Sequence, residues 1–101
     1  FFIDRNENLY VNEIAPRVHN SGHLTINAYN VSQFENHVRA VCNLKQIKLT
    51  KISNAKMINL IGSQITVYRN KQFAPNEFFF DYLKKEIKSK RKMGHLTTLI
   101  K

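Results

Sequence analysis

Residues 12–23 read NEIAPRVHNSGH, and this stretch holds the densest group of chemically active side chains in the sequence. A short β-favouring run, residues 9–11, leads into it, and Pro16 must end any strand because proline has no backbone N–H to donate to a ladder. The polar residues that follow, with Gly22 among them, predict a loop. We therefore expect a strand that continues as far as Ala15 and then a loop that carries an arginine, an asparagine and two histidines.

The first residues of this stretch could bind a metal ion. Asn12 and Glu13 place an amide and a carboxylate oxygen near the predicted end of the strand, and Mg²⁺ favours such oxygen ligands together with substrate phosphates. By themselves, two adjacent polar residues of this kind more often mark a solvated strand end than a metal site.

The loop that follows suits an oxyanion. Arg17 presents a planar fork to carboxylate, bicarbonate or phosphate, and His19, Asn20 and His23 lie close to it in the sequence. The spacing of the two histidines also resembles that of zinc ligands on a helix, but Gly22 argues against a helix and no third ligand is evident. An ordinary polar loop is the alternative to an anion site.

A hairpin is predicted before this stretch and a helix after it. Residues 1–3 and 9–11 are β-favouring runs separated by Asp and Asn residues, which favour a tight turn. A Ser-x-x-Glu capping box begins at Ser32, so a helix should run from about Gln33 to Cys42. Its apolar side chains fall on one stripe, which predicts that Cys42 is a core residue and not a nucleophile. This stripe consists of Phe34, Val38, Val41 and Cys42.

The rest of the chain is typical of strands joined by loops. Residues 43–54 form a polar connector with weak strand character at residues 47–52. Residues 57–61 predict a buried strand closed by a glycine, residues 65–68 could form another strand, and residues 95–100 predict a closing strand.

Composition limits the class of protein. The 101 residues include 16 Lys and Arg and 7 Asp and Glu, which gives a formal charge of +9, and 43% of the residues are hydrophobic. These values are typical of a small globular domain or of a piece of a larger one. No apolar run approaches the roughly 18 residues of a membrane helix, and one Cys cannot form an internal disulfide. We therefore expect no membrane partner and a reducing, cytoplasmic location.

The positive charge is concentrated near the end of the chain, in a stretch whose structure stays ambiguous on pattern alone. Residues 77–90 combine aromatic residues at helical spacing with three consecutive Phe before a basic run, so an amphipathic helix and a strand entering a basic loop are both open. The basic cluster suits a small phosphorylated molecule or a nucleic acid, or is simply a solvated face. No zinc-finger, RNP-like or helix-turn-helix pattern accompanies it. The cluster consists of Lys84, Lys85, Lys88, Lys90, Arg91 and Lys92.

Four blocks of the sequence together resemble one family. Residues 12–23 resemble the signature near the end of the ATP-grasp domain in the ATPase subunit of phosphoribosylaminoimidazole carboxylase. Residues 31–41 resemble the helix after that signature, and residues 57–62 and 91–96 resemble two later blocks of the same family. The blocks follow in the family's order and span nearly the whole chain.

The resemblance implies an ATP-dependent ligase of de novo purine synthesis. Such an enzyme joins bicarbonate to aminoimidazole ribonucleotide through carboxyphosphate and releases ADP and phosphate. The partners would therefore be these small molecules and not a nucleic acid. The cofactors would be ATP and magnesium, with Glu13 and Asn12 holding the metal on the ATP phosphates.

The resemblance also implies roles for the basic residues. Arg17, His19 and Lys85 would position bicarbonate and the carboxyphosphate made from it, while Lys88 and His23 match less closely. The ribonucleotide would be bound by Arg91, Lys92 and Asn20.

For the whole chain, the resemblance implies an α+β fold in two parts. Residues 1–47, with the hairpin, loop and helix, would be the C-terminal end of an ATP-grasp domain. Residues 48–101 would be a small β-rich C-terminal domain, in which residues 78–85 form a strand that enters the basic loop. The full-length enzyme would be a homodimer, and this chain would be a C-terminal portion that is inactive alone, with the family's second magnesium carboxylate falling just before Phe1. A small basic nucleic-acid-binding module is the alternative.

Overall fold

The computed structural model describes residues 1–100, which form an α+β fold with two separate antiparallel sheets. None of the helices within these residues is long and apolar enough to cross a membrane. In chain order the elements are β1 (Phe2–Ile3), β2 (Leu9–Tyr10), a 3₁₀ turn (Asn20–Gly22), α1 (Thr25–Ala28), α2 (Gln33–Val41), β3 (Asn54–Ile61), α3 (Gln64–Arg69), β4 (Glu77–Asp81) and β5 (Lys92–Ile100).

The predicted hairpin is confirmed, but its second strand is shorter than expected. Phe2 pairs with Tyr10 in β1 and β2, and the Asp4 carboxylate closes the turn by accepting from the backbone N–H of Asn6 at 2.8 Å and of Asn8 at 2.9 Å. The strand does not continue to Ala15, because the ladder ends where Tyr10 pairs with Phe2. Residues 11–15 therefore lie outside the ladder and form no regular element.

The predicted helix is confirmed as α2. Ser32 Oγ accepts from the backbone N–H of Glu35 at 3.1 Å, which satisfies one of the free donors of the first turn. The Glu35 carboxylate does not complete the box and instead pairs with Arg39 one turn later at 2.8 Å.

The apolar stripe of α2 is exposed, and the prediction that Cys42 is a core residue is wrong. Cys42 lies on the surface just after the helix, and Val38 and Val41 are 56% and 73% exposed. The helix has the expected amphipathic pattern, but within residues 1–100 no element covers its apolar face beyond Phe34, whose ring lies 5.1 Å from that of His23.

The second sheet carries the core, with β5 in the centre between β3 and β4. The closing strand is confirmed as β5. The ambiguous stretch forms strand β4, which enters a basic loop, residues 82–91, and ends at Asp81 instead of at Lys85 as expected. The strand predicted at 57–61 is confirmed within β3, although its side chains alternate in burial and only Leu60 is fully buried. The core under the sheet is formed by Leu60, Ile65 and Met93, with Tyr68 and Phe79 packed against it.

The further strand suggested at residues 65–68 is wrong, because these residues form helix α3. Gly62 turns the chain out of β3 with a φ of 56° and donates its N–H to the Arg91 carbonyl at 2.9 Å. Ile65 is then completely buried in the core. This tertiary contact outweighs the strand preference of the β-branched residues in the segment.

The connector from residue 43 to 53 forms no strand beyond a single bridge between Tyr29 and Lys51. Its backbone bonds instead to asparagine side chains. Asn36 exchanges two hydrogen bonds with the backbone of Ile47, at 3.1 and 3.2 Å, and Asn30 does the same with Lys48 and Thr50. These amides occupy the place of a strand partner, so the weak strand pattern never becomes a ladder.

Candidate functional site

The predicted anion loop, which carries Arg17, His19, Asn20 and His23, is held in shape by Gln33, the first residue of α2. Its Nε2 donates to the His19 carbonyl at 2.6 Å and its Oε1 accepts from the His19 backbone N–H at 2.9 Å. A side chain at Gly22 would place its Cβ only 2.5 Å from this amide oxygen, so the Gln33 amide would have to move from its position on the loop. The 3₁₀ turn that follows was not predicted, and the short helix α1 was not either.

The ring of His19 is oriented by the same turn. Ser21 donates its backbone N–H to His19 Nδ1 at 3.3 Å, and the Ser21 hydroxyl lies 2.7 Å from the same nitrogen. Because Nδ1 acts as an acceptor, Nε2 carries the proton of the neutral ring. An exposed histidine in this tautomer can donate a hydrogen bond to an anion.

Asn20 connects this loop to the second sheet. Its Nδ2 donates to Asn59 Oδ1 on β3 at 2.8 Å, and its Oδ1 accepts from the ammonium of Lys92 at 2.9 Å. Two of the residues predicted to bind the ribonucleotide, 72 positions apart in the sequence, are therefore in direct contact.

Behind Asn20 lies a pair formed by the half-buried Tyr82 and the fully buried His95. Asn20 Nδ2 makes a second, longer contact of 3.4 Å with the Tyr82 hydroxyl, which lies 2.9 Å from His95 Nδ1. The His95 side chain is 1% exposed, and its ring stacks on Phe80 at 5.4 Å with an interplanar angle of 2°. Desolvation, assisted by the nearby His23, lowers the pKa of His95 to about 4, so its ring is neutral.

His23 lies beside this pair in an aromatic cavity of about 510 Å³. Its Nδ1 accepts from Gln33 Nε2 at 2.7 Å, and its ring centroid is 5.4 Å from that of His95. Burial lowers the pKa of His23, and electrostatic interactions with His19 and Lys92 act in the same direction. The cavity is lined by Val18, His23, Ile26, Phe34, Phe80, Tyr82 and His95.

The remaining basic residues of the predicted site are exposed and only loosely held. Arg17 lies in the loop after Pro16, where its Nη1 donates to the Val18 carbonyl at 3.2 Å. Lys85 and Arg91 lie on the basic loop, and neither side chain makes a hydrogen bond or ion pair within residues 1–100. Lys88 pairs with Glu86 at 3.4 Å, on the same exposed loop.

Asn12 and Glu13 lie apart from the Asn20 contacts, on the segment that follows β2. They line a cavity of about 170 Å³ with Phe1, Val11 and Ile14. Neither side chain is hydrogen-bonded within residues 1–100, so both oxygen donors are free. The described residues contain no cluster of three or more His, Cys, Asp and Glu that could enclose a metal. One carboxylate and one amide oxygen are donors of the type that Mg²⁺ favours together with substrate phosphates.

Sequence reasoning gave no role to four residues that organise this site. The only signal for Asn59 is a polar residue within an apolar strand. Tyr82 and His95 are brought together by the pairing of β4 with β5, in which Phe80 lies opposite His95, and no sequence spacing indicates it. Gln33 is an ordinary first-turn residue of a helix, and its contact with a loop 14 positions earlier depends on the tertiary fold.

Comparisons with known proteins agree with the four sequence blocks. The family model of the ATP-grasp domain matches residues 1–34, and that of the phosphoribosylaminoimidazole carboxylase C-terminal domain matches residues 55–101. An N5-carboxyaminoimidazole ribonucleotide synthase of Staphylococcus haemolyticus is 50% identical over 104 residues, which cover 98% of this chain and 27% of the relative. The chain thus spans about a quarter of the length of such relatives.

Solved structures agree on the fold as well. The N5-carboxyaminoimidazole synthetase from Staphylococcus aureus matches with a TM-score of 0.86 and 45% identity, covering 99% of this chain and 28% of that one. The synthase from Aspergillus clavatus, in complex with ADP and 5-aminoimidazole ribonucleotide, matches with a TM-score of 0.84 and 33% identity over 98% of this chain and 28% of that one. The chain therefore belongs to the family of the ATPase subunit of phosphoribosylaminoimidazole carboxylase, within the ATP-grasp superfamily, and corresponds to the C-terminal part of its relatives.

Proposed function

We propose that this chain is part of a ligase that carboxylates aminoimidazole ribonucleotide at the expense of ATP. A bicarbonate oxygen attacks the γ-phosphorus of ATP, and the bond to ADP breaks, which gives carboxyphosphate. The amine nitrogen of the ribonucleotide then attacks the carboxyl carbon, the bond to phosphate breaks and the nitrogen releases its proton. The products are the carbamate, ADP and phosphate.

The first set of proposed roles concerns the bicarbonate group. Arg17 offers a bidentate fork to bicarbonate and to carboxyphosphate, and His19 donates from Nε2 because its Nδ1 is occupied by Ser21. Lys85 would add a positive charge from the basic loop. The exposure of all three side chains leaves them available to a small anion.

The second set concerns the ribonucleotide and the metal. Lys92 and Arg91 would bind the 5′-phosphate, with Asn20 holding the Lys92 ammonium beside the anion loop. Glu13 and Asn12 would contribute oxygen ligands to Mg²⁺, which neutralises charge on the ATP phosphates during phosphoryl transfer.

The single observation that carries this proposal is the 2.9 Å contact between Lys92 and Asn20. It joins a residue matched by the ATP-grasp family to one matched by the carboxylase C-terminal domain. A reaction that activates bicarbonate and binds a nucleotide at one place requires the residues of these two regions to lie next to each other. The relative solved with ADP and 5-aminoimidazole ribonucleotide supports the proposed substrates.

The wider context is part of the same proposal. We divide the chain into residues 1–47, from the ATP-grasp domain, and residues 48–101, the C-terminal domain. The working enzyme would be a cytoplasmic homodimer, and the 101-residue chain would not turn over alone because it holds only part of the ATP site.

The test uses the full-length enzyme that contains this chain. ATP hydrolysis should require both aminoimidazole ribonucleotide and bicarbonate, and Arg17→Ala should lower kcat/KM for bicarbonate by about 100-fold, since an electrostatic contact to the reacting group is lost. Arg5→Ala, at the exposed hairpin turn, is the matched control and should have little effect. Normal turnover by Arg17→Ala would refute the bicarbonate role.

A different measurement distinguishes the alternative, a nucleic-acid-binding module, from the proposed ligase. It predicts binding of DNA or RNA by the basic loop that weakens steeply with added salt. A gel-shift experiment without binding at about 50 mM salt would exclude it.

A further inference from the structure

The side-chain amide of Asn20 can adopt only one orientation. The Lys92 ammonium has donors but no acceptor, so the Asn20 atom that faces it at 2.9 Å must be the oxygen. The nitrogen then faces Asn59 Oδ1 at 2.8 Å and the Tyr82 hydroxyl at 3.4 Å, and both can accept. A reversed amide would turn a donor toward the Lys92 ammonium.

The Tyr82 hydroxyl is fixed in turn by His95. It accepts from Asn20 and, in the His95 tautomer that carries its proton on Nε2, donates its own proton to His95 Nδ1 at 2.9 Å. The His95 ring cannot rotate away, because it is buried and lies flat against Phe80. A chain of hydrogen bonds thus connects the buried His95, through Tyr82 and Asn20, to the exposed Lys92.

We propose that Tyr82, Asn59 and His95 are positioning residues that act through Asn20 to hold the Lys92 ammonium beside the anion loop. This inference rests on the proposed role of Lys92 in binding the nucleotide phosphate. A lysine has a long, flexible side chain, and ordering it on binding costs entropy. A lysine that is already ordered binds its ligand more tightly, because that cost is not incurred on binding.

The test is Tyr82→Phe in the full-length enzyme, with aminoimidazole ribonucleotide as the probe. The substitution keeps the ring and removes only the hydroxyl. We expect KM and the equilibrium dissociation constant for the ribonucleotide to rise about three- to tenfold, the range of one net hydrogen bond. The value of kcat should stay within about twofold, because the hydroxyl contacts Asn20 and His95 and not the reacting atoms.

Tyr68→Phe is the matched control, since it removes a tyrosine hydroxyl from the core cluster outside this network. It should leave the affinity for the ribonucleotide unchanged. Asn59→Ala provides a second variant, which removes the other partner of Asn20 and should weaken binding in the same direction. Thermal unfolding of each variant checks that the fold is retained.

A Lys92→Ala background separates positioning from general structural damage. If Tyr82 acts through Lys92, Tyr82→Phe should weaken binding by less than about twofold once Lys92 is absent. An equal loss in both backgrounds, or no loss in either, would overturn the inference while the function stands. If Lys92→Ala itself bound the ribonucleotide with unchanged affinity, Lys92 would have no role in phosphate binding. The inference would then fail as well.

Discussion

Three histidines of the site have different chemistry because water reaches them to different extents. His19 is exposed and free to donate to an anion, whereas His23 is half-buried in the aromatic cavity. His95 is fully buried, and its Nε2 has no hydrogen-bond partner within residues 1–100. Burial disfavours the charged form of an imidazole, so the pKa values of His23 and His95 fall below the ordinary value of 6.5.

This burial predicts a loss of stability in acid. Below about pH 6.5 the unfolded chain protonates these histidines, while folded His95 resists protonation until about pH 4. The unfolded state therefore binds more protons in this window. As the pH is lowered, the free energy of unfolding decreases, and His95 accounts for up to about 3 kcal/mol of this decrease. Calorimetric unfolding of the full-length enzyme at about pH 7 and about pH 5 measures the loss.

His95→Asn is the informative variant, because its Oδ1 can still accept from Tyr82 but does not titrate. Its stability should depend less on pH than that of the wild type. His37→Asn, on the exposed face of α2, should leave the acid dependence as it is in the wild type. A His95→Asn protein that is as acid-sensitive as the wild type would contradict the assignment.

At the scale of elements, β5 positions most of the site. As the central strand it pairs with both neighbours, and it carries Lys92 at its start, Met93 in the core and His95 against β4. Gly94 allows β4 to pack closely, because a Cβ there would overlap the Phe80 carbonyl and approach Ile65 Cδ1 to 2.9 Å. The glycine is required for packing and not for an unusual backbone angle.

Gly94→Ala should therefore be strongly destabilising. The added methyl must displace backbone in β4 or the buried Ile65, and overpacking of this kind costs about 1–3 kcal/mol. Denaturant unfolding followed by circular dichroism measures the change, with Lys56→Ala on the exposed side of β3 as the control. A loss no larger than that of the control would show that β4 can shift without cost.

At the scale of the whole molecule, the chain has more surface than a compact protein of its size. Its accessible area is 8018 Å², whereas a compact monomer of 11.9 kDa exposes about 5,900 Å². The radius of gyration is 16.1 Å, compared with about 13 Å for a compact domain of 100 residues. The excess includes apolar side chains of the hairpin and its extension, such as Phe1 at 80% and Ile14 at 88% exposure.

This surface predicts that the 101-residue chain associates when it is produced alone. Exposed apolar side chains of this kind favour self-association or contact with other parts of an enzyme. Light scattering coupled to size exclusion should report species larger than 11.9 kDa. Ile14→Glu should reduce the association, while Lys51→Glu, a charge change at an exposed polar site, should not. A compact monomer at all concentrations would contradict the prediction.

Local interactions explain which features the sequence predicted well. The hairpin depends on Asp4 and its near neighbours, and helix α2 depends on the Ser32 cap, so both follow from residues a few positions apart. Strand β5 follows from its composition, and the family follows from the order of four blocks. The strand form of β4 needed the family resemblance, because its aromatic spacing fits a helix equally well.

Only the tertiary structure decided the remaining features, because they depend on residues that are distant in sequence. Residues 65–68 form a helix because Ile65 meets the core of the sheet, and Cys42 is exposed because no described element covers α2. The sequence by itself identified Asn20 and Lys92 as candidates for binding the ribonucleotide, through its resemblance to the family. The contact between them, and the Tyr82 and His95 pair behind it, arises from the packing of the anion loop on the second sheet, which no local pattern encodes.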